Sequence, residues 1–165
     1  MIEIVRVVTN QQIESVAALA AEIWREHYTP IIGAEQVTYM LEKFQSPEAV
    51  KTQIDTNELV YYLLYIDQRP SGYFAIQVRA DEVFLSKLYV ASSYRKLGLA
   101  KNAIEFIKGV AADNCLKKIS LTINKNNSES LSAYERLGFA KEKAVVTDIG
   151  NGFYMDDFVL VLNLN

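Results

Sequence analysis

The segment Arg95-Lys96-Leu97-Gly98-Leu99-Ala100 stands where an apolar stretch gives way to a helical pattern. A helix N-terminus presents unpaired backbone N–H groups and a partial positive charge, and together these hold anions. Gly98 and Ala100 have little side chain, so a pyrophosphate can approach the backbone, and Arg95 and Lys96 add charge at the rim. With one glycine the segment is neither a P-loop nor a dinucleotide fingerprint; an ordinary helix start with a solvated basic turn has the same residues. Near the C-terminus, strand alternation places Asp156 with Phe158 and Leu160, and Asp157 with Val159 and Val161. Both faces are apolar, so at least one carboxylate is expected to be half-buried and to need a partner. A strand-end acid facing water is the plainer alternative. One His and one Cys cannot build a zinc site, so no metal is expected, and no nucleophile elbow supports serine hydrolysis.

The elements that must position these groups are legible in the pattern. A first strand over 2–7 is followed by Thr9-Asn10-Gln11-Gln12, a capping box that opens a helix with the apolar stripe Ile13, Val16, Ala17, Ala20, Ile23, Trp24. Pro30 and Gly33 break that helix, residues 37–44 form a short second one, and Ser46-Pro47 starts a further helical turn. Strands are expected over 59–66, 73–78 and 83–90, with 67–72 as a turn. The helix after Gly98 has the stripe Leu99, Ala103, Phe106, Ile107, Val110. A strand over 117–123, a helix over 128–137 ended by Gly138, and a strand pair broken at Gly150-Asn151-Gly152 complete the chain. The order βααβββαβαββ predicts a mixed α/β domain around a central sheet.

A chain of 165 residues fits one domain, here 1–165, without staples. A single cysteine, Cys115, rules out an internal disulfide. The N-terminus lacks the features of a signal peptide, and no run approaches the ~20 apolar residues of a membrane span. A cytoplasmic protein without a membrane partner is therefore expected. Charge is uneven: residues 1–82 carry 6 basic and 12 acidic groups, 83–125 carry 8 and 2, and 126–165 carry 3 and 6. A basic middle suits an anionic ligand and acidic flanks a cationic one; chance patterning on solvated faces gives the same profile. The net charge of −3 argues against a nucleic-acid partner.

The strand over 83–90, the loop and Arg95-x-x-Gly98-x-Ala100 with its helix resemble the coenzyme-A motif of the GNAT superfamily of acetyl-CoA-dependent N-acetyltransferases. Downstream, Asn127-x-x-Ser130-x-x-x-Tyr134-x-x-x-Gly138-Phe139 is similar to that superfamily's second motif, in the right order. The resemblance covers about Val60 to Phe139. It implies an α/β (α+β) fold: a single GNAT-like domain with a central mixed, mostly antiparallel sheet, splayed parallel central strands and flanking helices. It also implies that acetyl-CoA is the co-substrate. The pantetheine arm would lie between the 83–90 and 117–123 strands, against backbone groups of Leu88, Tyr89 and Val90. The pyrophosphate would meet Arg95, Lys96, Leu97, Gly98, Leu99 and Ala100. Asn127 would contact the arm through its amide, and Tyr134 would protonate the departing thiolate. Ser130 stands where the family often has Ala.

The implied reaction is direct attack of a primary amine on the thioester, and the amine must first lose a proton. The 83–90 strand holds no acid, and Glu82 stands only at its start. His27, the only histidine, is a candidate base because its pKa lies near neutrality, although a lone His ending an amphipathic helix is commonly structural. In this family the first helices and last hairpin line the acceptor's entrance. Here they supply Trp24, His27, Tyr28, Tyr39, Tyr154, Asp156 and Asp157, a set suited to a cationic amine. The tail Gly152-Phe153-Tyr154-Met155-Asp156-Asp157-Phe158 is loosely similar to bacterial polyamine-acetyltransferase-like members, which makes a polyamine the working acceptor. A peptide or protein amine, or a non-catalytic acyl-CoA-sensing module, are the alternatives, and a homodimer is compatible with the family.

Overall fold

The computed structural model describes residues Met1–Asn165. In chain order the elements are β1 (Ile2–Arg6), α1 (Asn10–His27), α2 (Thr29–Ile32), α3 (Ala34–Phe44), α4 (Pro47–Asp55), β2 (Val60–Ile66), β3 (Arg69–Val78), β4 (Val83–Val90), α5 (Leu99–Asp113), β5 (Lys118–Asn124), α6 (Ser128–Arg136), β6 (Ala140–Gly150) and β7 (Phe153–Asn163). The seven strands run in the order β1-β2-β3-β4-β5-β7-β6. β4 and β5 pair in parallel, with Val83 opposite Ile119 and Leu85 opposite Leu121, while the β1–β2, β2–β3, β5–β7 and β6–β7 pairs are antiparallel. This is the expected mixed α/β sheet; between β1 and β2 the helical turn begun at Ser46-Pro47 is a full helix, α4, and the short α2 stands where a break was expected.

The chain forms two compact units, one of Met1–Gln77 with Ser86–Ile104 and the other of Val78–Leu85 with Glu105–Asn165. In the first, the Thr9 hydroxyl accepts from the Gln12 N–H at 3.1 Å while the Gln12 side chain accepts from the Thr9 N–H at 2.9 Å. That reciprocal cap sets the phase of α1, whose Val16, Ala20, Ile23 and Trp24 are buried, and α1 packs against α2, α3 and α4. The hairpin joining β2 to β3 is tighter than the expected 67–72 turn. Ile66 pairs directly with Arg69, and Asp67 and Gln68 both take left-handed φ, 48° and 69°. That is the twist-matched two-residue hairpin, made here without glycine.

In the second unit, Ile119, Leu121 and Ile123 of β5 are buried with Leu160 and Leu162 of β7. Ile107 and Ala111 of α5 are buried too, whereas Phe106, expected in the same stripe, is 36% exposed. The buried side of α5 is Leu99, Ala103, Ile104, Ile107 and Ala111, a rotation of the expected face. β6 stands at the end of the strand order and is almost wholly exposed, with Lys141, Glu142 and Lys143 along it. Charges of this kind blunt an open sheet edge.

Candidate active site

The first unit contains the anion-type turn. After β4, a single 3₁₀ turn, Ser92–Tyr94, leads into residues 95–98 and then α5. Lys96 and Gly98 both have left-handed φ, 63° and 87°, so the backbone reverses twice within three residues. Gly98 fits because only glycine takes that conformation without strain, and an added Cβ would meet nothing nearer than Asn102 Nδ2 at 3.7 Å. The Gly98 carbonyl accepts from the Asn102 side chain at 2.8 Å and its N–H at 3.0 Å, fixing the start of α5. Lys96, Leu97 and Gly98 are exposed. Arg95 is half-buried, and its Nε donates to the Val90 carbonyl at 3.4 Å, so it braces the strand end as well as supplying charge.

Immediately upstream, Gly72 of β3 lies against β4. A Cβ there would come within 2.6 Å of the Tyr89 carbonyl oxygen and 3.3 Å of Val90 Cα. The Ala91 N–H bonds the Ser71 carbonyl at 2.9 Å beside it. The course of the backbone at Tyr89 and Val90 therefore depends on a missing side chain on the neighbouring strand.

Trp24, His27 and Tyr28, the acceptor contacts that the family resemblance implies, come together. Trp24 and Tyr28 stack with ring centroids 4.5 Å apart, and His27 meets Tyr28 edge-on at 4.9 Å. Tyr89 joins them edge-on, 5.4 Å from Trp24 and 5.9 Å from Tyr28, and lies 5.6 Å from Tyr73. Tyr73 and Tyr61 are fully buried, and their hydroxyls donate to Gln45 and Gln53. Burial holds both phenols above their ordinary pKa.

The sequence reading missed Lys87. Alternation puts it on the same face of β4 as Tyr89, and its Nζ lies 5.6 Å from the Tyr61 ring centroid and donates to Ser86 Oγ at 3.2 Å. The stem remains partly accessible, but burial of the ammonium pushes its pKa down from 10.5 to about 8, against the pull of Glu58. The folded state binds fewer protons than the unfolded chain between pH 8 and 10.5, so Lys87 lowers stability fully below pH 8, and stability rises with pH through that window. Lys87→Met is expected to raise stability at pH 7 by on the order of 2 kcal/mol, allowing for partial exposure. The gain should shrink towards pH 10.5, as urea unfolding at pH 7 and pH 10 would show.

The second unit contains Asn127 and Tyr134. Asn127 is buried and caps α6, its Oδ1 accepting from the Ser130 N–H at 3.4 Å. Tyr134 is half-buried with its ring edge-on to Phe139 at 5.5 Å, and its carbonyl accepts from the Phe139 N–H at 3.1 Å. Gly138 takes φ 101° and ends the helix as expected. Asp156, chosen from the sequence, is exposed and paired with Lys125 at 2.8 Å. Its neighbour Asp157 is the buried one, at 4% exposure. Glu82 is tied up: Arg79 and Lys118 each reach it at 3.3 Å, and the Ser120 hydroxyl donates to it.

In this α/β protein the parallel strand β4 is followed by a glycine-containing reversal and a helix N-terminus. A model of the acetyltransferase (GNAT) family matches residues 17–139. The chain is 21% identical over 156 residues to a spermidine N(1)-acetyltransferase of Thermoplasma acidophilum, covering 92% of this chain and 94% of that one. It is 37% identical over 70 residues to the 5-NmdU N-acetyltransferase of Pseudomonas phage PaMx11, a match spanning 41% of this chain and only about half (48%) of that relative. The fold superposes on the PaiA N-acetyltransferase of Thermoplasma acidophilum in complex with coenzyme A with a TM-score of 0.83, at 20% identity and over 99% of each chain. The chain belongs to the GNAT acetyltransferase family. That family makes it a GNAT-type acetyltransferase. No helix is long and apolar enough to cross a membrane.

Proposed function

We propose that the protein transfers the acetyl group of acetyl-CoA to the primary amine of a small cationic acceptor, with a polyamine as the working class. The observation that carries this is the course of β4. The strand leads through a single 3₁₀ turn into the 95–98 reversal and, within the same unit, presents Tyr89 to the Trp24–Tyr28 stack. One strand thus joins an anion-type turn to an aromatic wall, and aromatic faces attract ammonium groups by about 0.5–2 kcal/mol each. The spermidine acetyltransferase relative, alike over most of both chains, fits the same acceptor class.

In this reading the pyrophosphate meets the exposed backbone at Lys96 to Gly98 and the start of α5 behind it, with Arg95 and Lys96 adding charge. Backbone groups at Leu88, Tyr89 and Val90 hold the pantetheine amides, and Asn127 contributes from the start of α6. The neutral amine attacks the thioester carbonyl, the C–S bond breaks, and Tyr134 protonates the departing thiolate.

The test is to mix purified protein with acetyl-CoA and separate panels of polyamines, amino acids, aminoglycosides and short peptides, and to follow free thiol corrected for the exposed Cys115. Turnover on polyamines is the expected result. Turnover on peptides alone would replace the small-amine reading with a peptide one. Acetyl-CoA binding without any turnover would favour an acyl-CoA sensor.

A further inference from the structure

Asp157 takes no part in the chemistry above, yet it is an interior carboxylate without a hydrogen bond or an ion pair. The Lys125 ammonium beside it pairs with Asp156 instead. An uncompensated buried charge costs stability, so its position decides what it does. Its register partner Asn124 is the last residue of β5. There the chain turns into α6, with the Asn127 N–H bonded to the Asn124 carbonyl at 3.0 Å and the Lys125 N–H to the Asp156 carbonyl at 3.1 Å. Val145 of β6 stands on its other side. Ligands of open α/β sheets bind beyond the carboxyl ends of parallel strands, and β5 is such a strand. α6, which begins at that turn, carries Tyr134.

We propose that Asp157 is the proton acceptor for the attacking amine, a role that rests on the acetyl-transfer reading above. The substrate ammonium gives one proton to the Asp157 carboxylate, and the freed lone pair forms the C–N bond at the thioester carbonyl. As the tetrahedral intermediate collapses the C–S bond breaks and the thiolate takes the Tyr134 proton. The second proton shed by nitrogen returns to Tyr134 through solvent, and Asp157 releases its own to water. Burial first, then repulsion from Asp156, push the Asp157 pKa up to about 6 against the pull of Lys125. The charges acting on it are Asp156 on its own strand and Lys125 from the turn, and its β6 neighbour Val145 is apolar. A carboxylate of this kind is ionised at pH 7 and basic enough to accept a proton. Glu82 cannot serve, being paired with Arg79 and Lys118.

The test uses the full chain with acetyl-CoA and spermidine as the acceptor. Wild-type kcat is expected to fall as pH drops through about 6. Asp157→Asn should lower kcat roughly 10²-fold at pH 7 with KM nearly unchanged. The deficit should narrow as pH rises and the amine deprotonates unaided. A deficit constant at every pH, or one confined to KM as for a cation anchor, overturns the proton role. Thermal unfolding provides a readout independent of turnover. The folded state binds the extra proton between pH 3.8 and 6, so the penalty is complete above 6. Asp157→Asn should therefore raise Tm at pH 7.5 and lose that advantage by pH 4, and a lower Tm at pH 7.5 would make Asp157 structural. If the wild type acetylates no amine while Asp157→Asn still shows the Tm gain, the acetyl-transfer reading fails and the buried-charge premise stands.

Discussion

Tyr134→Phe is expected to lower kcat roughly 10²–10³-fold while acetyl-CoA binding stays within about twofold of wild type. The Tyr134 ring packs edge-on against Phe139 at 5.5 Å, and its backbone carbonyl anchors the Phe139 N–H. Phenylalanine keeps both, so the substitution isolates the hydroxyl. A free Tyr has a pKa of about 10 and a thiol about 8.5, so the donor needs local help rather than a large driving force. Steady-state kinetics with spermidine and equilibrium binding of acetyl-CoA separate the outcomes. Unchanged kcat removes the acid assignment. Loss of acetyl-CoA binding in parallel with kcat would make Tyr134 a packing residue.

Gly72→Val is expected to damage both stability and acetyl-CoA affinity, for a steric reason. Gly72 has an ordinary φ, so its backbone conformation makes no demand. The demand comes from the Tyr89 carbonyl oxygen 2.6 Å from where a Cβ would sit, with Val90 Cα at 3.3 Å. Both are backbone atoms of a paired strand and have nowhere flexible to go. Relief must come from moving β4 away, which stretches the Ala91 to Ser71 bond and shifts Tyr89 against Trp24 and Tyr28. Overpacking of this kind costs roughly 1–3 kcal/mol. Because the same backbone is assigned to the pantetheine arm, the KM for acetyl-CoA should rise about tenfold or more, equivalent to ~1.4 kcal/mol. Gly72→Ala is the milder companion. Urea unfolding and acetyl-CoA KM within error of wild type for Gly72→Ala would show that the close approach does not constrain the site.

Local signals determined most of what could be read from this chain without its structure. The Thr9–Gln12 cap, the Ser46-Pro47 helix start, the Gly138 stop and the Asn151-Gly152 hairpin depend on residues within a few positions of one another, and each forms as read. The same holds for the 95–100 turn, whose glycine meets a left-handed φ, and for the family, whose two motifs are contiguous stretches. Trp24, His27 and Tyr28 were singled out through the family resemblance, and their contact with one another is local too, since they stand within one turn of each other at the end of α1.

Only the tertiary structure decided which of two equivalent faces goes inside. Alternation in the 153–163 strand gives Asp156 and Asp157 apolar neighbours on both sides, so nothing local separates them. Packing against β5 and β6 buries Asp157 and leaves Asp156 to pair with Lys125. Lys87 is a charged residue in an apolar strand, a signal visible in sequence, but its lowered pKa comes from burial beside Tyr61, which is 26 positions away in the chain. Gly72 looks like a turn glycine in sequence and is a contact glycine in space. Phe106 falls outside the buried side of α5 because the rotation of a helix about its axis is fixed by what it packs against. Caps and turns are short-range and are written locally, whereas burial, and with it the protonation of Lys87 and Asp157, is a property of the assembled sheet.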